Sequence, residues 1–124
     1  MPLSIISRTE NDIAILELEG ALTLGPSLHA LRDAARHILS QGRPGGLIIQ
    51  VNKVTTTDSA GLGELTVVYT FSSKQGCRVV LCGVSPSLRT MLEVTHLDGL
   101  LPSAADLASA KKLISSGATG SSGS

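Results

Sequence analysis

Hydrophobic and polar positions change period several times along this chain, and each change marks an element. From Ile13 to Leu18 the side chains alternate. Ile13, Ile15 and Glu17 fall to one side, and Ala14, Leu16 and Leu18 to the other. A period of two predicts a strand, and Ser4 to Arg8 predicts another before it. Glu10-Asn11-Asp12 between them is turn chemistry, because Asn and Asp tolerate left-handed backbone. A hairpin is expected, with Gly20 breaking its second strand. From Leu28 the period lengthens. Leu28, Leu31, Ala35, Ile38 and Leu39 form one apolar helical face, with His29, Arg32, Asp33 and Arg36 largely on the other. Pro26 is expected in the first turn of this helix, where its missing N–H has no partner to lose. The glycines from Gly42 to Gly46 end it.

Leu47 to Val51 is short, β-branched and apolar, the pattern of a central strand buried on both faces. A helix is expected from Leu62 to Ser73, with Leu62, Leu65, Val68 and Tyr69 as its stripe. Arg78 to Cys82 predicts a second buried strand. Ser85 is placed to cap a third helix with Pro86 at its first position, and Leu88, Met91, Leu92 and Thr95 facing inward. Leu97 to Leu101 predicts a short edge strand. Pro102-Ser103 predicts the start of a last helix with Ala104, Leu107, Ala108 and Leu113 as periodic positions. The order predicts an α/β fold: a mixed, mostly parallel sheet of four to five strands with four helices, and an antiparallel N-terminal hairpin strand at an edge. Residues 1–114 make one domain. Residues 115–124 hold only Ser, Gly, Ala and Thr, which predicts a flexible tail.

Composition narrows the function classes. Acidic and basic residues balance at 10 each, with no Trp, one Tyr and one Phe. A nucleic-acid binder needs a basic stripe or aromatic stacking platforms, and neither is present. No run approaches the roughly 20 apolar residues of a spanning helix, so no membrane insertion is expected. Met1-Pro2-Leu3-Ser4 is not the start of a secretory leader, which predicts a cytoplasmic protein. Cys77 and Cys82 match neither a redox nor a zinc spacing, and read as buried thiols.

The chemistry converges on Thr57-Asp58-Ser59-Ala60-Gly61-Leu62-Gly63, where a strand gives way to a helix. A nucleophile elbow needs glycine two residues before and after the serine. Gly61 satisfies the second position, but Thr57 occupies the first. His29, His37 and His96 lie on surface segments, so a Ser–His hydrolase is poorly supported. Gly61-Leu62-Gly63 lacks the remainder of a dinucleotide or P-loop motif. No metal-ligand spacing occurs either. No cofactor, metal or catalytic residue is expected. Two readings of Ser59 remain. As an N-cap its hydroxyl accepts from a free backbone N–H. As a phosphorylation site it would set about −1.5 to −2 charges against the positive helix end.

The run Val54 to Gly63, with Gly76 to Leu81 and Val84-Ser85-Pro86-Ser87-Leu88 through Leu97-Asp98, resembles the sulphate transporter and anti-sigma factor antagonist (STAS) domain. The resemblance covers about residues 4–112, and its branch is that of free-standing bacterial anti-sigma factor antagonists. It implies a non-enzymatic switch. Such proteins bind an anti-sigma factor with serine kinase activity and so release a sigma factor. Phosphorylation at the position of Ser59 turns them off, and a serine/threonine phosphatase restores them. It further implies that Asp58 orients the loop and that Gly61 and Gly63 admit a partner's backbone. Thr23, Thr57, Asp58, Ser59, Ala60, Gly61, Leu62, Gly63 and Thr66 are the implied contact residues. The chain departs from the family's pattern at Thr23, where many members carry Asp, at Gln50, and at the polar Thr56 and Thr57. The alternative implied role is a scaffold subunit of a sensory complex, or a soluble accessory subunit of a membrane transporter.

Overall fold

The computed structural model describes residues 3–42 and 44–122, with side chains through Ser115. Five strands and four helices alternate: β1 Ser4–Glu10, β2 Ile13–Leu22, α1 His29–Gly42, β3 Gly46–Thr57, α2 Ser59–Lys74, β4 Arg78–Cys82, α3 Pro86–Val94, β5 Ser103–Ala104 and α4 Leu107–Ser122. The strands lie in the order in which the chain makes them. β1 and β2 are antiparallel, joined through Asn11 at φ 57°, while β2, β3, β4 and β5 run parallel. The mixed sheet with an antiparallel edge strand is the architecture expected from the sequence.

Consecutive apolar residues in the central strands are explained by two cores. Ala14, Leu16, Leu18, Leu47, Ile49, Val51, Val79 and Leu81 face the larger core, with Leu31, Ala35 and Leu39 of α1, Leu62, Leu65 and Val68 of α2, and Leu88 and Leu92 of α3. Ile15, Ile48, Val80 and Cys82 point the other way, against Ala110 and Ile114 of α4. Adjacent residues on a strand therefore serve opposite layers.

Several boundaries differ from the sequence expectation. Gly20 does not end β2, which continues through it to Leu22 beside a register shift. Pro26 is not in a helix. Residues 25–28 form a turn closed by the Leu28 N–H on the Gly25 carbonyl (3.2 Å), and α1 starts at His29. Leu97 to Leu101 is not a strand, because the Leu97 N–H returns to the Leu92 carbonyl (2.9 Å) and the Leu101 N–H to the Leu97 carbonyl (2.9 Å). The edge strand starts after Pro102, whose carbonyl accepts from the Leu81 N–H (2.8 Å), so Pro102-Ser103 does not open α4. α4 is capped by Asp106, whose carboxylate accepts from the Ser109 N–H at 2.8 Å. Its buried positions are Ala110 and Ile114, whereas Ala108 and Leu113 are exposed. The α4 backbone runs on to Ser122, into the stretch whose composition predicts a flexible tail. Residues 123–124 of that stretch lie outside the described residues. Among the described residues no helix is long and apolar enough to cross a membrane.

Candidate functional site

β3 is longer than its neighbour on one side. Its pairing with β4 stops at Gln50 opposite Cys82, but its pairing with β2 continues to Thr57 opposite Leu22. Val51 to Thr57 therefore form an overhang braced by β2 alone. Two register shifts put extra residues into β3 along it, and bulges of this kind bend the strand and re-aim its far end. The overhang delivers Asp58 and Ser59 to the C-terminal edge of the sheet, beside the loop that leaves β2.

Asp58 ties these pieces together. Its backbone is extended, at φ −114°, and its Oδ1 accepts from the Gly61 N–H at 2.9 Å. Its other carboxylate oxygen accepts from the Leu24 N–H at 3.0 Å. Its carbonyl takes the Leu62 N–H (3.0 Å), and its own N–H donates to the Leu22 carbonyl (3.4 Å). The Leu24 N–H, then the Gly61 N–H, hold its carboxyl below the usual range by favouring the charged form. Asp58, not Ser59, is thus the N-cap of α2. A carboxylate with two oxygens reaches both the helix and the neighbouring loop, which one hydroxyl cannot. Ser59 becomes the first helical residue, with an exposed side chain.

The implied contact residues separate into two groups. Ser59 and Gly63 are exposed, and Thr23, Thr57, Asp58, Ala60 and Thr66 are half-buried. Ser59, Gly63 and Thr66 recur at helical spacing on one face of α2. The Thr66 hydroxyl donates to the Leu62 carbonyl at 3.1 Å. Gly61 and Leu62 are buried. A Cβ on Gly61 would lie 1.9 Å from the Leu22 carbonyl oxygen, so the backbone this glycine admits is the chain's own β2. Nothing lies within 4 Å of a Cβ built on Gly63.

The loop around Leu22-Thr23-Leu24 lies beside the Ser59 turn, as expected of strand ends that share one edge of an α/β sheet; sequence reasoning missed Glu64. Glu64 is only 6% exposed, yet Arg32 of α1 forks onto its carboxylate, with the Arg32 Nε at 3.2 Å and Nη2 on the other oxygen. Glu64 lies on the buried side of α2, and an ion pair between residues of two helices has no local sequence signal. The pair locks α1 to α2 just below the Ser59 turn.

The chemistry open to the site is limited. The hollow beside it, lined by Val51, Val54, Thr55, Thr56, Thr57, Ser85, Ser87 and Leu88, measures about 30 Å³, which suits a water and not a nucleotide. Among the described residues no histidine hydrogen-bonds to Ser59, and no group of three His, Cys, Asp or Glu residues is arranged to hold a metal.

Residues 4–110 match the family model of the STAS domain. Solved structures of the same fold include an anti-sigma factor antagonist from Mycobacterium paratuberculosis, 19% identical at TM-score 0.76 over 90% of this chain and 93% of that one. They also include the Bacillus cell fate determinant SpoIIAA in its phosphorylated form, 18% identical at TM-score 0.65 over 89% and 99%. A sulfate transporter family protein from Wolinella succinogenes is 21% identical at TM-score 0.69 over 87% and 92%. At these identities the likeness is one of fold.

Proposed function

Because the chain belongs to the STAS domain family, we propose that it is an anti-sigma factor antagonist, working by binding and switched off by phosphorylation at Ser59. Its partner is an anti-sigma factor with serine kinase activity, and a serine/threonine phosphatase resets it. The observation that carries this reading is the exposed Ser59 hydroxyl directly after an Asp58 cap. Since Asp58 already uses the helix-end donors at Gly61 and the loop donor at Leu24, the serine is released from structural duty. A phosphate there would be favoured by the positive helix end and repelled by Asp58. It would therefore stand at the surface and not sink into the fold. A docking partner must then desolvate a dianion or meet it with unfavourable charge, at a cost of several kcal/mol. Thr23, Thr57, Ala60, Gly63 and Thr66 supply the surrounding contact surface, while Gly61 and Leu62 support it from beneath.

The test is direct. Incubation with the cognate kinase and ATP should add one phosphate, mapped to Ser59 by mass spectrometry. Ser59→Asp should weaken kinase binding by about two orders of magnitude, as several kcal/mol of repulsion implies. Undiminished binding by Ser59→Asp would remove the switch. A second reading draws on the likeness to the Wolinella protein: an accessory subunit of a membrane transporter. Recovery of transporter subunits in a pull-down, with no kinase, would favour it.

A further inference from the structure

Leu24 is the most exposed large apolar side chain among the described residues, with 79% of its surface open to water. Single exposed leucines are common and need no special account. The tether distinguishes this one. Its N–H is held at 3.0 Å by the carboxylate of Asp58, the residue that caps α2 and precedes Ser59. Its strand is closed against the same turn, with Leu22 paired to Thr57 and accepting the Asp58 N–H. Ile6, 59% exposed on β1, lies in the middle of that strand opposite Glu17 and has no such link to the serine. The loop around Leu24 is also uncharged, since residues 20–28 contain no Asp, Glu, Lys, Arg or His. Contact there rests on apolar area, not on ion pairing.

We propose that Leu24 is the apolar anchor of the docking surface around Ser59. The inference rests on the functional reading above, and it commits to the same partner: the serine-kinase anti-sigma factor, which meets Leu24 with an apolar pocket. Continuity between Leu24 and Ser59 through the Asp58 carboxylate places anchor and switch within one contact. An apolar side chain on backbone that is already fixed loses little entropy on docking, so more of the free energy of burying its surface goes into affinity. Leu24 thus supplies affinity in the unmodified state, and the phosphate on Ser59 supplies the veto. The two contributions differ in kind. The first is nearly insensitive to salt, and the second is screened by it.

Calorimetric titration of the purified kinase with wild-type protein, Leu24→Ala and Ile6→Ala tests this at low and high salt. Leu24→Ala should raise Kd roughly tenfold at both salt concentrations, and Ile6→Ala should leave it unchanged. The maximal rate of Ser59 phosphorylation at saturating Leu24→Ala should equal that of the wild type, with the loss appearing in KM. If Leu24→Ala binds like wild type, or Ile6→Ala loses as much, the anchor is overturned while the switch reading stands. A fall in maximal rate with KM unchanged overturns it equally. If the wild type neither binds nor is phosphorylated by the kinase, both fall together.

Discussion

Two glycines in the first two turns of α2 make opposite demands. Gly61 is required by the protein itself, because any side chain there collides with the Leu22 carbonyl oxygen. Gly61→Ala should cost about 3 kcal/mol or more, since backbone on backbone has no flexible side chain to give way. A urea titration would show it, and an unchanged midpoint would contradict the close packing. Gly63 is different: exposed, helical and with open space around it. Gly63→Ala should stabilise the free protein by roughly 0.5–1 kcal/mol, through helix propensity alone. If a partner's backbone approaches this point, the same substitution weakens kinase binding. Stability and affinity then move in opposite directions, a signature a purely structural glycine cannot give.

At the scale of elements, the site depends on how α1 and α2 are held. The Arg32–Glu64 fork joins them across a largely apolar contact, with Glu64 almost wholly buried and Arg32 about one-third exposed (31% of its side chain). Removing Arg32 strands a buried carboxylate. Arg32→Ala should therefore destabilise by about 2 kcal/mol, below the full figure for a buried pair because water still reaches the guanidinium. A denaturation midpoint that did not move would show the pair to be dispensable. This pair also marks where sequence reading reached its limit. Strands buried on both faces were legible at Leu47 to Val51 and Arg78 to Cys82, because two cores impose consecutive apolar residues. The Ser85 cap and Pro86 start were legible because capping is local, and the Ser85 hydroxyl accepts from the Leu88 N–H at 3.1 Å. The inward face of α4 was legible only in part. Of the periodic positions Ala104, Leu107, Ala108 and Leu113, the first two do pack against the smaller core, but Ala108 and Leu113 are exposed and the buried contacts with that core are made by Ala110 and Ile114. Asp58 was legible as a neighbour of the serine but not as the cap, since its second hydrogen bond reaches a loop far back in the chain.

On the scale of the whole molecule, the two cysteines report on the two layers. Cys77 belongs to the larger core and Cys82 to the smaller, and both are free. Burial, with a lesser push from Asp12, raises the Cys77 thiol to about 11, and burial raises Cys82 as well. At pH 8 neither should react with a thiol reagent such as dithionitrobenzoate in the native state, because the thiolate is scarce and shielded. Both should react in denaturant. Reaction of one alone under native conditions would show that one layer opens without the other.

The overhang of β3 carries an evolutionary consequence. Below Gln50 the strand is clamped between β2 and β4 and packs into both cores, so nearly any substitution from Leu47 to Ile49 is a folding defect. Beyond it β2 is the only paired strand, Val51 and Val54 still turn into the larger core, and Asn52, Lys53, Thr55 and Thr56 are exposed. One strand is thus divided between two kinds of selection. Its first half is inherited as architecture. Its second half still commits Val51 and Val54 to the core but leaves Lys53, Thr55 and Thr56 free to drift, so descendants of a duplicated gene can acquire separate partners, and insulated signalling lines, without rebuilding the domain that carries them.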